Sequence, residues 1–161
     1  MDIEQDQAVL LQEPAAHLVE SLADGFEHLQ LDALTAAQLQ ALAAQGVRTV
    51  IDLRQPEEDR GYHETAQAEA LGLRYVRIPV AGAEGLDAAN VRAVHQALQQ
   101  SQGPVLLHCA SGNRAGAVLA LVNARYEHAT PDQALPLGQR AGLKSLEAAT
   151  RQRLAEPVTS P

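Results

Sequence analysis

Hydrophobic positions follow two patterns along this chain, short apolar runs and helical repeats. The runs predict buried strands at 47–53, 73–80 and 105–108, and an edge strand in FEHLQL. Helical spacing and capping residues predict helices at 36–45, 87–100, 114–128 and 143–154. Two more are predicted, one in the polar stretch that ends at residue 70 and one that begins at Thr130. Strands that alternate with helices predict an α/β fold with a mostly parallel central sheet and helices on both faces.

The length of 161 residues fits one domain of ordinary size. The first fourteen residues are polar and acidic and end at Pro14, and EPVTSP closes the chain without a clear pattern. We therefore expect a flexible N-terminus at 1–14, a single α/β domain at 15–156 and a flexible tail at 157–161.

Charge and cysteine content exclude several classes of function. The net charge of −8 argues against nucleic-acid partners and anionic membranes, since both are bound through Lys and Arg. No apolar run approaches the ~20 residues of a membrane-spanning helix, and the acidic start MDIEQDQ is unlike a secretory signal, which predicts a cytoplasmic protein. A single cysteine excludes an internal disulfide framework and a cysteine-based zinc site.

The charge is also distributed unevenly. Residues 1–59 hold twelve acids and two bases, whereas residues 60–161 hold eight acids and ten bases. An anion site is therefore expected in the second part of the chain.

The candidate chemistry lies in the segment from His108 to Gly116. Cys109, the sole cysteine, follows a buried strand, and a helix is expected to begin near Arg114. Backbone N–H groups of such a loop and the positive end of the helix dipole form an anion cradle, which also lowers the pKa of a thiol. Arg114 offers a planar guanidinium for two oxygens of a phosphate-like group. The pattern favours nucleophilic attack by Cys109 on an anion.

The remaining residues of the loop have supporting roles in this interpretation. Gly112 permits the backbone conformation of a loop that wraps around an anion, and His108 is expected to be a core histidine that orients the loop. A cysteine after a buried strand can also be simply a small core residue, and the glycine and arginine that follow favour the nucleophile.

Arg54 ends the IDLR block at the same edge of the sheet, and two roles stay open for it. It adds positive potential over the site or recognises a second anionic group, or it pairs with a nearby carboxylate of Glu57, Glu58 or Asp59.

The loop resembles that of the cysteine-dependent protein phosphatase superfamily, in which His-Cys is followed by Gly and Arg. Three blocks, GVRTVIDLR (46–54), LGLRYVRIPV (71–80) and GPVLLHCASGNRAG (103–116), resemble its dual-specificity-like branch, in particular the bacterial beta-lactamase-hydrolase-like phosphatase-like domains. The resemblance covers roughly residues 25–128. It implies a phosphatase-like α/β fold, no metal or organic cofactor, and a phosphorylated small molecule or phosphoprotein as substrate.

Residue roles carry over at the matching positions. The resemblance implies Cys109 as the residue that takes the phosphoryl group and Arg114 as the ligand of its oxygens. It implies that the backbone amides of the loop complete the phosphate site, at Ala110, Ser111, Gly112, Asn113 and Arg114.

The sequence departs from the phosphatase pattern at three points. Four residues separate Cys109 from Arg114, where most of the superfamily has five. Ala115 stands where Ser or Thr often helps the thiolate leave, and Ser111 offers a hydroxyl at a different position. The loop after the middle strand lacks the expected aspartate, which leaves Glu84 and Asp87 as candidate general acids. Asp87 also has the position of a helix N-cap.

Two alternatives therefore stand beside the phosphatase. The short loop also resembles that of rhodanese-type sulfurtransferases, which would carry a persulfide on Cys109. The other alternative is a non-catalytic module that binds anions without turnover.

Overall fold

The computed structural model describes residues 6–11, 26–31, 36–57, 63–101, 104–109 and 113–156. Its strands are β1 (Asp6–Leu11), β2 (Phe26–Leu31), β3 (Thr49–Asp52), β4 (Arg74–Arg77) and β5 (Val105–Cys109). Its helices are α1 (Ala36–Ala44), α2 (Glu64–Ala70), α3 (Ala88–Gln99), α4 (Asn113–Tyr126), α5 (Pro131–Arg140) and α6 (Glu147–Ala155), with a 3₁₀ helix at Gly82–Gly85. The predicted alternation of strands and helices is confirmed.

The strands form one sheet in the order β2-β1-β5-β3-β4. β3 is parallel to both β4 and β5, while β1 is antiparallel to β5 and β2. The predicted edge strand FEHLQL is β2, at one edge of the sheet. The carboxyl ends of the three parallel strands therefore lie at one edge of the sheet.

Helices cover both faces of the sheet, as predicted. Val50 and Leu106 pack with α1 and α2 in one apolar cluster, whereas Ile51 and Leu107 belong to a second cluster with α3, α4 and α5. Successive residues of a strand point to opposite faces, so a strand covered on both sides is apolar throughout. This is why the apolar runs of β3 and β5 predicted strands.

The N-terminal segment differs from its prediction. Residues 1–14 were expected to be flexible, but Asp6–Leu11 form β1, with Gln7 opposite Cys109 and Leu11 opposite Val105. Strand β1 pairs with β5 on one side and β2 on the other, and these backbone hydrogen bonds connect segments far apart in sequence. A local pattern does not reveal them. The rest of 1–14 and the tail 157–161 lie outside the described residues.

The last helix begins later than predicted, at Glu147 instead of residue 143. The residues before it form a turn in which the Leu143 N–H donates to the Gly138 carbonyl at 2.9 Å. The Lys144 and Leu146 N–H groups donate to the side chain of Asn113. Bonds to other elements therefore hold this segment in a turn.

Helix α4 is the buried centre of the helical layer. Residues 115–123 are all buried, and the helix packs against α3, α5 and α6. A Cβ at Gly116 would lie 2.5 Å from the Gly138 carbonyl oxygen and 2.5 Å from the Leu143 nitrogen. The backbones of α4 and α5 thus touch near the first turn of α4. In the part of the chain that is described, no helix is long and apolar enough to cross a membrane.

We predict that Gly116→Ala destabilises the protein by about 1–3 kcal/mol, because the added methyl group meets backbone atoms that have no side chain to move aside. The measurement is the free energy of unfolding in urea. Without the close approach, the same substitution would stabilise α4 by up to about 1 kcal/mol, since alanine is the better helix former. A decrease in the free energy of unfolding supports the close backbone contact, whereas an increase contradicts it.

Candidate active site

Cys109 is the last residue of β5, which lies between β1 and β3 in the sheet. The preceding strand residues Val105, Leu106 and Leu107 are fully buried. In register, His108 is opposite Asp52 of β3 and Ala8 of β1. The backbone of Cys109 thus lies at the carboxyl end of an internal strand, where α/β sheets bind ligands.

Helix α4 begins at Asn113, and Arg114 is its second residue. The predicted loop residues Ala110, Ser111 and Gly112 lie outside the described residues, so their role as phosphate ligands stays a prediction. The first turn of α4 has backbone N–H groups without partners inside the helix, and the helix dipole adds positive potential there. Arg114 lies at this same end of the helix. The helix N-terminus and the guanidinium therefore both attract an anion.

The half-buried Arg114 contacts the loop that follows β4. Its Nη1 donates to the Val80 carbonyl oxygen at 3.3 Å. The Val80 N–H in turn donates to the Leu53 carbonyl at 3.0 Å, beyond the end of β3. The arginine in the first turn of α4 thus contacts the loop that carries the candidate acids.

Glu84 and Asp87 are both in this loop but have different surroundings. Glu84 is exposed on the 3₁₀ helix Gly82–Gly85. Asp87 is the N-cap of α3 and accepts a hydrogen bond from the Asn90 N–H at 2.8 Å, which confirms its predicted capping role. The Asn90 side chain also donates to the Gly85 carbonyl at 2.8 Å. The carboxylate of Asp87 is engaged in the cap, and this favours Glu84 as the acid.

Asn113 has a contact that the sequence did not predict. Its Oδ1 accepts hydrogen bonds from the Lys144 N–H at 2.8 Å and the Leu146 N–H at 3.2 Å, and its Nδ2 donates to Ser145 Oγ at 2.6 Å. Its backbone begins α4 as the anion-cradle prediction requires, while its side chain bonds the turn before α6 to the candidate site. No sequence signal indicated this contact, because the two segments are 31 to 33 residues apart.

Arg54 does not add an open positive charge over the site, and this expectation is corrected. Its side chain is only 3% exposed, and its Nε lies 2.9 Å from Asp52 Oδ1 while its Nη2 lies 2.6 Å from Glu64 Oε2. The alternative, pairing with carboxylates, is confirmed in kind, with Asp52 and Glu64 as the described partners. Of the partners that the sequence suggested, Glu58 and Asp59 lie outside the described residues. The buried guanidinium compensates part of the negative charge of these two acids, which are themselves removed from water.

Tyr75 completes this group, and we call Asp52, Arg54, Glu64 and Tyr75 the β3 cluster. The phenolic oxygen of Tyr75 is within hydrogen-bond distance of both carboxylates. Burial raises the pKa of Tyr75, and the hydrogen bonds and charges of Asp52 and Glu64 raise it further, well above its usual range. Burial also acts to raise the pKa of Asp52, but hydrogen bonds from Arg54 and Tyr75 and the charge of Arg54 outweigh it and hold this pKa far below its usual range.

Candidate metal ligands do not converge within the described ranges, where no three His, Cys, Asp or Glu side chains form a group able to hold a metal ion.

The fold is that of phosphatase-like α/β domains. Residues 19–156 match the family model described as a DSP-PTPase phosphatase fused to NAD+ kinase. The chain belongs to this family of dual-specificity-like phosphatase domains, and the resemblance drawn from its three sequence blocks is confirmed.

Curated relatives carry the name beta-lactamase hydrolase-like protein. One from Xylella fastidiosa (strain Temecula1) is 32% identical over 125 residues, which is 73% of this chain and 29% of that protein. One from Agrobacterium fabrum is 36% identical over 83 residues, 49% of this chain and 19% of that protein. The chain therefore spans less than a third of the length of these relatives.

Solved phosphatase structures share the fold. A candidate phosphatase from Neisseria meningitidis has a TM-score of 0.62 and 27% identity, covering 76% of this chain and 87% of that one. TpbA of P. aeruginosa, solved in complex with pTyr, has a TM-score of 0.58 and 24% identity, covering 80% of this chain and 77% of that one. The α/β fold assignment is confirmed.

The β3 cluster predicts how stability changes at high pH. Because the pKa of Tyr75 is raised in the folded state, the unfolded chain loses this proton first, near pH 10, while the folded chain keeps it. The stabilisation is complete below about pH 10 and is lost above it, by at most about 1.4 kcal/mol per pH unit. We expect the free energy of unfolding of the wild type to fall between pH 9.5 and 11 more steeply than that of Tyr75→Phe.

Tyr126→Phe is the matched control, since this tyrosine stacks on His95 and lies outside the β3 cluster. It should follow the wild-type curve. Parallel curves for the wild type and Tyr75→Phe would contradict the prediction.

Proposed function

We propose that this domain is a cysteine-dependent phosphatase that hydrolyses phosphate monoesters through a phosphocysteine on Cys109. The observation that carries the proposal is the placement of Cys109 at the end of β5 and of Arg114 in the first turn of the next helix. Membership of the phosphatase family supports it. A thiol, a helix N-terminus and a guanidinium within six residues form a site for attack on a phosphoryl group.

In the first step the Cys109 thiolate attacks phosphorus, and the S–P bond forms as the ester P–O bond breaks. Arg114 and the amides at the start of α4 bind the equatorial oxygens, whose negative charge is stabilised in the transition state. The leaving oxygen keeps the electron pair of the broken bond and takes a proton from Glu84, which acts as the general acid.

In the second step water attacks the phosphocysteine. The proton of the water passes to the Glu84 carboxylate, the S–P bond breaks, and the thiolate and inorganic phosphate are released. Ala115 lacks a hydroxyl that would help this thiolate leave, so slow release of phosphate is part of the proposal.

The substrate class is a phosphorylated small molecule or a phosphoprotein. The TpbA structure holds pTyr, and an aryl phosphate is therefore a suitable first probe for this chain. The family and the acidic net charge leave nucleic acid outside the proposal.

One observation favours a second candidate, sulfur transfer. Only four residues separate Cys109 from Arg114, and a shorter loop offers fewer amide donors to a tetrahedral phosphate. In that reaction the thiolate attacks the outer sulfur of thiosulfate, a Cys109 persulfide forms, and sulfite leaves with the electron pair of the broken S–S bond.

The first test is hydrolysis of an activated aryl phosphate by the reduced protein between pH 5 and 8. We expect turnover by the wild type and loss of at least about a thousandfold in Cys109→Ser, because a serine hydroxyl is not ionised near neutral pH and does not replace the thiolate. Detection by mass spectrometry of a phosphocysteine, trapped by acid quench in the wild type and not in Cys109→Ser, would support this mechanism.

Hydrolysis that persists in Cys109→Ser would refute the cysteine mechanism. Absence of turnover, with a mass gain of one sulfur atom after thiosulfate treatment, would establish the sulfurtransferase instead. Phosphate binding with neither reaction would identify a non-catalytic anion-binding module.

The second test addresses the general acid. Glu84→Gln should lower turnover of an alkyl or unactivated aryl phosphate by about a hundredfold or more and flatten the acidic-to-neutral pH–rate profile, while an activated aryl ester is affected less. Asp87→Asn is the comparison, because asparagine also caps a helix well and removes only the acid. Should Asp87→Asn flatten the profile and Glu84→Gln leave it unchanged, the acid is Asp87.

A further inference from the structure

We propose that the β3 cluster positions Arg114, and thereby sets the affinity of the site for phosphate without touching the ligand. The inference rests on the proposed function only in taking Arg114 as a phosphate ligand. Asp52, Arg54, Glu64 and Tyr75 are then positioning residues.

The cluster holds the backbone at the end of β3. Leu53 lies between Asp52 and Arg54, and both of these side chains belong to the cluster. The Arg54 N–H donates to Asp52 Oδ1 at 3.0 Å, which closes a short turn around Leu53. Glu64, at the first residue of α2, accepts from Arg54 Nη2 at 2.6 Å and so fastens this turn to a helix. The direction of the Leu53 carbonyl is set by these bonds.

The Leu53 carbonyl in turn sets the position of Val80. It accepts a hydrogen bond from the Val80 N–H at 3.0 Å, and the Asp52 carbonyl accepts one from the Ile78 N–H at 3.0 Å. Two bonds thus extend the pairing of β3 and β4 into the loop that follows. Val80 is fully buried, so its peptide has little freedom to move.

Val80 is the link to the arginine. Its carbonyl accepts from Arg114 Nη1 at 3.3 Å, so the residue whose N–H is bonded to Leu53 also binds the guanidinium through its carbonyl. Tyr75 packs with the α1–α2 cluster, whereas Leu53 and Val80 belong to the cluster that includes α4. The series of contacts from the β3 cluster to Arg114 therefore passes from one face of the sheet to the other, through backbone hydrogen bonds at the end of β3.

The chemistry of the cluster fits this role. Apolar side chains of similar volume would stabilise the fold as well as buried charges do, because desolvation offsets much of the attraction between the charges. Charged hydrogen bonds are directional, however, and they hold a backbone turn in one geometry. An arginine that binds two phosphate oxygens needs such a geometry, since a small displacement of a binding group weakens the interaction.

The test is a double-mutant cycle on binding of inorganic phosphate, measured by calorimetry and as competitive inhibition of aryl phosphate hydrolysis. Glu64→Gln and Tyr75→Phe are each made in the wild type and in Arg114→Lys, since a lysine lacks the planar fork. We expect each cluster variant to weaken phosphate binding about threefold to tenfold in the wild type and less than twofold in Arg114→Lys.

A purely structural role gives a different result. It would lower the midpoint of unfolding and weaken phosphate binding equally in both backgrounds, and that outcome overturns the inference. Glu69→Gln, an exposed carboxylate on the same helix, is the control and should leave phosphate binding unchanged. Tyr75→Phe keeps the ring in place, so it carries the test if Glu64→Gln fails to fold.

Failure of the inference and failure of the proposed function are separate results. Hydrolysis that persists in Cys109→Ser refutes the cysteine mechanism and leaves the binding cycle valid. A wild type that binds no phosphate overturns the inference directly. Unchanged phosphate affinity in both cluster variants overturns it while the Cys109 mechanism stands.

Discussion

The parallel pairing of β3 with both β4 and β5 is the constraint on which the rest of this structure depends. Parallel neighbours require long connections, and here α2 connects β3 to β4 on one face of the sheet while α3 connects β4 to β5 on the other. The same pairing places the ends of the three strands at one edge. Cys109 ends β5 there, and the loop that begins beyond β4 carries Val80 and Glu84. Fold and candidate chemistry thus have one physical origin.

Close packing around α4 supports this edge. The helix is buried over most of its length, and the contact of Gly116 with Gly138 lies two residues from Arg114. The Asn113 side chain adds bonds to the turn before α6. The start of α4 is therefore held by contacts on several sides. This suits a preorganised site, in which the hydrogen-bond donors are already oriented before the ligand binds. The β3 cluster holds the loop after β4 in a similar way, although burying its charged groups costs free energy.

The chain belongs to a family of dual-specificity-like phosphatase domains. Compared with the wider cysteine phosphatase superfamily, its sequence differs at three points. The short spacing from Cys109 to Arg114, the alanine at 115 and the lack of the expected loop aspartate concern the proposed chemistry, while the fold is that of the family. One architecture can carry different reactive groups, because function depends on a few side chains and the scaffold on many. The relatives that match are much longer proteins, and their activity as whole molecules is a separate question.

Features that depend on neighbouring residues were predictable from the order of amino acids. Apolar runs predicted β3, β4 and β5, Asp87 and the residues around Thr130 predicted helix starts, and the short step from Cys109 to Arg114 predicted a strand, a loop and a helix. The tertiary structure decided the features that join distant segments. These are the pairing of β1 with β5, the bonds of Asn113 to the turn at 144–146, and the burial of Arg54 between Asp52 and Glu64. The physical reason is that periodicity reports which face of an element is apolar, whereas the partner of that face depends on how the whole chain packs.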